Sequence, residues 1–273
     1  MLPTIAQLVS KYGVQPLKKY GQNFIYDESL CDKIVKYAEV NSSSNVLEIG
    51  PGPAGLTRSI LKAGPNSCAI IEMDQRFMPL LGEIRSYYPK LSIKQGDALR
   101  FKLAELTSAS LEKLTIISNL PYNVGCKLLT NWLEEIELVD SITVMLQKEV
   151  VERIIAKPAC KDYGRLSIIC QILCDVQKCF DVSSKVFYPP PQVDSAVVKL
   201  VPKKDIKLSK DIIKKIQVIT MHAFNGRRKT LKKSLQAVPN HLAILEQLNI
   251  DPALRPENLS PVDYYNIANL SLR

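Results

Sequence analysis

The sequence predicts an α/β fold: a doubly wound, mostly parallel sheet followed by a small all-α domain at the C-terminus. Short apolar runs ending at Gly, Asp or Asn alternate with stretches of helical periodicity from Asn45 to Glu149. That alternation is the signature of a parallel sheet with crossover helices. A glycine-rich loop, Gly50-Pro51-Gly52-Pro53-Ala54-Gly55, sits between the first such run and the first such helix. Beyond Pro202-Lys203-Lys204 the chain turns basic and helix-forming.

Residues 1–26 are expected to be an irregular N-terminal segment, basic and aromatic over 11–26. Asp27 then caps a helix to about Val40, with Leu30, Ile34, Val35 and Ala38 at helical spacing. Asn45–Ile49 is the first strand, and a helix follows from Leu56 to Ala63. Ser67–Ile71 is a second strand, ending at Glu72-Met73-Asp74, and leads to a helix over Gln75–Ser86. Strand Leu91–Lys94 ends at Gly96-Asp97. The apolar run Leu114–Ser118 is the fourth strand and delivers Asn119-Leu120-Pro121-Tyr122, ahead of a helix over Val124–Leu133. Ile142–Leu146 is the fifth, and a helix begins at Gln147-Lys148-Glu149. Residues 163–175 read as helix, and 176–201 as a strand pair broken by Pro189-Pro190-Pro191. Helical patterns follow at 208–223, 228–237 and 240–248. The expected division is a main domain over 1–202 and a basic helical domain over 203–273.

Composition narrows the functional classes. An apolar fraction of 46% and a charged fraction of 23% are those of a soluble globular protein. No apolar run is long enough to span a membrane. The N-terminus has no basic flank leading into an apolar stretch, so a cytoplasmic location is expected. The seven cysteines are odd in number and form no C-x-x-C, and only two histidines are present. Buried free thiols and no metal are therefore expected. Residues 203–233 hold eleven Lys or Arg against Asp205 and Asp211, a surplus equal to the net charge of +9 for the whole chain. Arg227, Arg228, Lys229, Lys232 and Lys233 are the densest part. Clustered charge of this kind is the footprint of a polyanion such as RNA.

The strand ends carry the chemistry. In an open α/β sheet, ligands bind at the C-terminal edge. Gly50-x-Gly52-x-x-Gly55 at the first strand end would cradle an adenosine-containing cofactor, with Glu72 at the next strand tip for ribose hydroxyls. The same letters are the dinucleotide fingerprint, so a dehydrogenase is an alternative from this feature alone. Pro51 and Pro53 weigh against it, because they remove backbone donors from a loop that would wrap a pyrophosphate. Asp97 and the Asn119 motif add acceptors for amino groups, which hydride transfer does not need. An amino group conjugated to a ring is a poor nucleophile. Acceptors at the Asn119 side chain and the Leu120 carbonyl would draw its N–H bonds towards a tetrahedral shape. Pro121 would fix the backbone, and Tyr122 would offer a ring face for a flat substrate.

With these residues in view, the sequence resembles the rRNA adenine N6,N6-dimethyltransferases, in particular the bacterial small-subunit (16S) type. The resemblance rests on Gly21–Ile25, Val46–Gly52, Glu72–Asp74, Gly96–Ala98 and Asn119–Asn123. It continues through Leu146–Val150, Tyr163–Ser167, Pro189–Val198 and Phe224 to Leu231. It implies a Rossmann-like S-adenosylmethionine-dependent methyltransferase sheet. It places the cofactor against Asn23, Ile25, Gly50, Glu72, Asp97 and Asn119, and makes Asn119, Leu120, Pro121 and Tyr122 the catalytic motif. A flipped adenosine would stack on Tyr122, with Phe187 or Tyr188 as further rings. The implied partner is small-subunit rRNA in an assembling subunit, with no metal needed; no membrane partner is expected, and a monomer is the default expectation. Ala54 stands where the family often has glycine, and Ile25 where leucine is usual. The alternatives within this resemblance are a large-subunit rRNA methylase of the resistance type and an RNA-binding assembly factor with little catalysis.

Overall fold

The computed structural model describes residues 3–17, 21–106, 113–204, 208–226 and 228–272. Its strands are β1 (Phe24–Ile25), β2 (Asn45–Ile49), β3 (Ser67–Glu72), β4 (Leu91–Gln95) and β5 (Leu114–Asn119). They continue as β6 (Val139–Gln147), β7 (Cys174–Val182), β8 (Phe187–Tyr188) and β9 (Ser195–Pro202). The helices begin with α1 (Ile5–Tyr12), α2 (Glu28–Ala38), α3 (Gly55–Lys62), α4 (Met78–Tyr87) and α5 (Gly125–Leu133). Next come α6 (Lys148–Ile155), α7 (Arg165–Leu173), α8 (Lys210–Ala223) and α9 (Leu231–Ser234). The last two are α10 (His241–Gln247) and α11 (Pro261–Leu270).

Seven strands form one sheet in the order β4-β3-β2-β5-β6-β9-β7. The pairs from β4 through β6 are parallel, and β6 with β9 is antiparallel, so the sheet is mixed. The fold class is the expected α/β one, with helices at the C-terminus. β2 and β5 are buried along nearly their whole length, as strands covered on both faces must be. The order reverses at β2: the chain runs outwards through β3 and β4, then returns to β5 on the other side. A crevice opens at such a reversal.

Helices α1, α2, α8 and α11 begin where a side chain satisfies an orphan N–H group, whereas α3, α4 and α5 start without a side-chain cap. Asp27 accepts from the Leu30 N–H at 3.1 Å and starts α2, whose inner face buries Cys31, Ile34, Val35 and Ala38. The N-terminal segment is more regular than its composition suggests. α1 is launched by a capping box between Thr4 and Gln7 and buries Ile5 and Leu8. Phe24 and Ile25 form β1, paired antiparallel with β8. The helix expected over Gln75–Ser86 opens as a 3-10 turn at Gln75–Phe77 before α4. α11, unread in the sequence, starts from a second capping box, Ser260 with Asp263.

The chain packs as two compact units, 1–151 with 177–201, and 152–176 with 202–273. The second unit is thus larger than the 203–273 expected from composition. The apolar helix α7 packs on α8 and α11, which draws the whole 152–176 segment into it. Its core includes Tyr163 and Tyr264, and the half-buried Phe224 ring meets both, at 6.3 and 6.1 Å. Among the described residues no helix is long and apolar enough to cross a membrane. Cys31, Cys68, Cys170 and Cys174 are buried free thiols, but Cys126 and Cys179 are half-buried and Cys160 is exposed.

Gly55 opens α3 directly beneath β1, where a Cβ would stand 2.7 Å from the Ile25 carbonyl oxygen. Replacing a helical glycine by alanine ordinarily stabilises. Here the added methyl meets backbone, and overpacking of this kind costs about 1–3 kcal/mol. Gly55→Ala is therefore expected to lower the chemical unfolding midpoint, and an unchanged or raised midpoint would contradict the packing of β1 on α3.

Candidate active site

The C-terminal ends of β2, β3, β4 and β5 open into one pocket in the first unit. Every residue expected to bind cofactor or to catalyse lines it: Asn23, Ile25, Gly50, Glu72, Asp97, Asn119, Leu120, Pro121 and Tyr122. Phe187 of β8 lines it as well, whereas Tyr188 is 59% exposed and is not among the lining residues.

Glu72 ends β3 and is buried. Its Oε2 accepts the Gly52 N–H at 3.1 Å and its Oε1 the Asp74 N–H at 2.8 Å. Burial pushes its carboxyl above the ordinary range, and these N–H groups oppose that shift. Each oxygen keeps a second lone pair for a donor in the pocket. The glycine loop is shaped around this carboxylate. Gly50 and Gly52 hold φ of 66° and 52°, a left-handed backbone that glycine adopts without cost. The Gly50 N–H goes to the Ile71 carbonyl at 2.8 Å. The Gly52 N–H is therefore spent inside the protein rather than offered to a pyrophosphate. Ala54 takes φ 67° without being glycine.

Asp97 follows β4 and caps the turn Ala98–Arg100, with Oδ1 accepting from the Leu99 N–H at 3.0 Å. Glu48, on β2, is wholly enclosed and accepts from Thr57 Oγ1 at 2.6 Å. Burial pushes its carboxyl up to about 8, the Thr57 hydrogen bond works the other way, and the charge of Glu72 adds to the rise. Glu48 is therefore a neutral acid at physiological pH.

The Asn119 motif is fixed on three sides. Ser118 Oγ donates to the Ile49 carbonyl at 2.6 Å, tying the end of β5 to β2. The Asn119 amide donates to the Asn23 carbonyl at 3.4 Å, which leaves Oδ1 as its acceptor. The Leu120 N–H reaches Met145, and the Pro121 carbonyl accepts from Val124 and Gly125 to begin α5. The Tyr122 hydroxyl meets Ser195 Oγ at 2.7 Å. Burial raises the Tyr122 phenol above its usual range, with Ser195 opposing and Asp194 adding. Ser195, wholly buried at the start of β9, is a site residue that sequence reasoning missed. It lay within the Pro189–Val198 motif, but only the fold brings it to Tyr122.

The basic cluster lies in the second unit. Arg228, Lys229, Lys232 and Lys233 are exposed, and Arg227 lies outside the described residues. Leu231 and Ser234 turn inwards, and the Leu231 and Lys232 N–H groups donate to Leu254 and Pro252. The short α9 is thereby pinned while its cations face solvent. Among the described residues no group of three or more His, Cys, Asp or Glu could hold a metal ion.

The buried Glu48 gives a pH dependence. The folded protein keeps a proton that the unfolded chain releases above its ordinary 4.5, so stability falls as pH rises from there through about 8. Glu48→Gln removes that slope. In denaturant titrations the variant should gain on the parent by more than about 1 kcal/mol between about pH 5 and about pH 8. A pH-independent difference would show that Glu48 is ionised in the folded protein.

Comparison with known proteins gives the family. The ribosomal RNA adenine dimethylase family model matches residues 15–272. The chain is 40% identical over 261 residues to Ribosomal RNA small subunit methyltransferase A of Marinobacter nauticus, covering 96% of this chain and 93% of that one. It is 40% identical over 272 residues to the protein of the same name from Agrobacterium fabrum, covering 98% and 97%. A crystal structure of a dimethyladenosine transferase from Plasmodium falciparum superposes with a TM-score of 0.76 at 25% identity, covering 89% of this chain and 95% of that one. With a family model spanning nearly its whole length, the chain belongs to the ribosomal RNA adenine dimethylase family.

Proposed function

We propose that the protein uses S-adenosylmethionine to dimethylate N6 of adjacent adenosines near the 3′ end of small-subunit rRNA, acting as a cytoplasmic monomer during ribosome assembly. The observation that carries this reading is the order of groups along one sheet edge: Glu72, Asp97, then Asn119-Leu120-Pro121-Tyr122, all lining one pocket.

The residues fit the cofactor. Glu72 has free lone pairs for two ribose hydroxyls, Asp97 has a carboxylate oxygen for an adenine amino group, and Gly50, Asn23 and Ile25 offer backbone at close approach. When bound, S-adenosylmethionine supplies an already activated sulfonium methyl. The protein's own task is to present the adenine nitrogen. Asn119 Oδ1 and the Leu120 carbonyl accept its N–H bonds, which draws the lone pair out of the ring. Tyr122, held at its hydroxyl by Ser195, offers its ring face to a flipped base, and Phe187 supplies a second apolar wall. Positioning provides most of the acceleration, and no covalent enzyme intermediate is required. Arg227, Arg228, Lys229, Lys232 and Lys233 would clamp rRNA phosphates.

The direct test incubates labelled S-adenosylmethionine with small subunits from cells lacking the modification, then identifies the nucleosides by mass spectrometry. Dimethyladenosine in small-subunit rRNA is expected, with Asn119→Ala slower by about 100-fold or more. Label confined to large subunits would move the substrate to the other rRNA. Tight binding to small subunits without any label would leave an assembly factor. RNA affinity should also fall steeply with salt, and Lys232→Gln should flatten that slope by about one unit.

A further inference from the structure

Residues 13–17 leave α1, and residues 21–26 run past the turn after β3 and through β1 at the pocket; these two stretches form a strap. Three side chains hold its described part. Gln22 Nε2 donates to Asp74 Oδ2 at 2.9 Å, while Gln22 Oε1 accepts from the Leu17 N–H at 2.9 Å and from Arg76 Nη2 at 3.3 Å. Arg76 grips Asp74 through Nε to Oδ1 at 3.0 Å and Nη2 to Oδ2 at 2.6 Å, and its Nη1 donates to the Gln15 carbonyl at 3.1 Å. Asp74 also accepts from the Arg76 N–H. Burial works against ionisation of Asp74, but the Arg76 and Gln22 hydrogen bonds outweigh it and hold its carboxyl below the ordinary range.

The cluster has a direction. The Asp74 N–H donates to Glu72, so the residue that holds the strap also helps to fix the carboxylate expected to take the ribose. One position beyond Gln22, the Asn23 carbonyl accepts from the Asn119 amide. Hydrogen bonds thus run from Gly52 and Glu72 through Asp74 to Gln22, and the peptide link to Asn23 carries the connection on to Asn119.

We infer that Gln22, Asp74 and Arg76 are positioning residues that latch the strap to Glu72, so that cofactor binding fixes the strap and the strap in turn retains the cofactor. This rests on the reading that S-adenosylmethionine occupies the pocket. The Gln22 amide must present its nitrogen to Asp74 and its oxygen to Leu17 and Arg76, so the latch depends on orientation as well as on shape. Gln22→Glu keeps the shape and sets a second carboxylate against Asp74. Adding Asp74→Asn restores a donor to that contact.

The test measures S-adenosylmethionine binding by calorimetry, backbone amide exchange over 21–26 with and without the cofactor, and kcat against KM. Gln22→Glu is expected to weaken cofactor binding by about 10-fold. It should raise the KM for cofactor, keep kcat at saturating cofactor within about twofold, and lose much of the cofactor-induced protection of the strap. Gln22→Glu with Asp74→Asn should recover a substantial part of the affinity. Parent-like binding and protection in Gln22→Glu would overturn the latch. So would a defect that the second substitution fails to relieve, or a fall in unfolding midpoint with unchanged cofactor affinity. If the unaltered protein binds no S-adenosylmethionine, the cofactor reading itself falls and the latch with it.

Discussion

A carboxylate taken out of water at a strand end must be hydrogen-bonded or neutralised, and the neighbourhood of Glu72 is arranged to do the first. Two backbone N–H groups, from Gly52 and Asp74, converge on it from different loops. For Gly52 to aim its N–H there, the loop after β2 must pass through left-handed backbone, which explains the glycines. The turn after β3 must likewise fold back over its own strand end. A single acid thereby sets the course of two connections that wall the pocket. Its neighbour Glu48 takes the second solution and keeps its proton. Two buried acids close together cannot both be charged cheaply, and burial raises both carboxyls.

The opposite wall obeys a different constraint. In the Asn119-Leu120-Pro121 turn the Leu120 N–H is engaged with Met145, Pro121 has none to offer, and the Pro121 carbonyl is taken by the start of α5, which leaves the Leu120 carbonyl and the Asn119 amide oxygen. Ser118 and Ser195 then fix the two ends, one at the Ile49 carbonyl and the other at the Tyr122 hydroxyl. Each contact contributes only about 1 kcal/mol net. Their value lies in geometry, since acceptors that wander cannot hold an amino group in one orientation.

Much of this was legible in the sequence because it depends on local pattern. The strands β2 to β5 run up to Gly, Asp or Asn within a residue or two of their ends, and the pocket is lined at those stops. β1 and β8 are two residues each and exist only through one another, so no window of sequence reveals them. Residues 152–176 follow directly on sheet sequence, and only the packing of α7 on α8 and α11 assigns them to the second unit. The proton on Glu48 reflects complete enclosure, and the role of Ser195 reflects the antiparallel arrival of β9; neither is written in neighbouring residues. α1 and α11 are a different matter. Their capping boxes were present in the letters, and the aromatic and proline content around them masked the signal.

The pairing of β1 with β8 has a consequence for how the pocket is completed. These strands lie roughly 160 residues apart in the chain, so bringing them together carries a large loop-closure cost that only a preformed sheet can offset. During synthesis the glycine loop, Glu72 and Asp97 emerge and can assemble well before Phe187 and Ser195 exist. The part of the pocket that Phe187 and Ser195 complete therefore closes last, when the end of the sheet is already leaving the ribosome. A nascent chain cut short before β8 would carry Glu72 and Asp97 at their strand ends but an unfinished pocket.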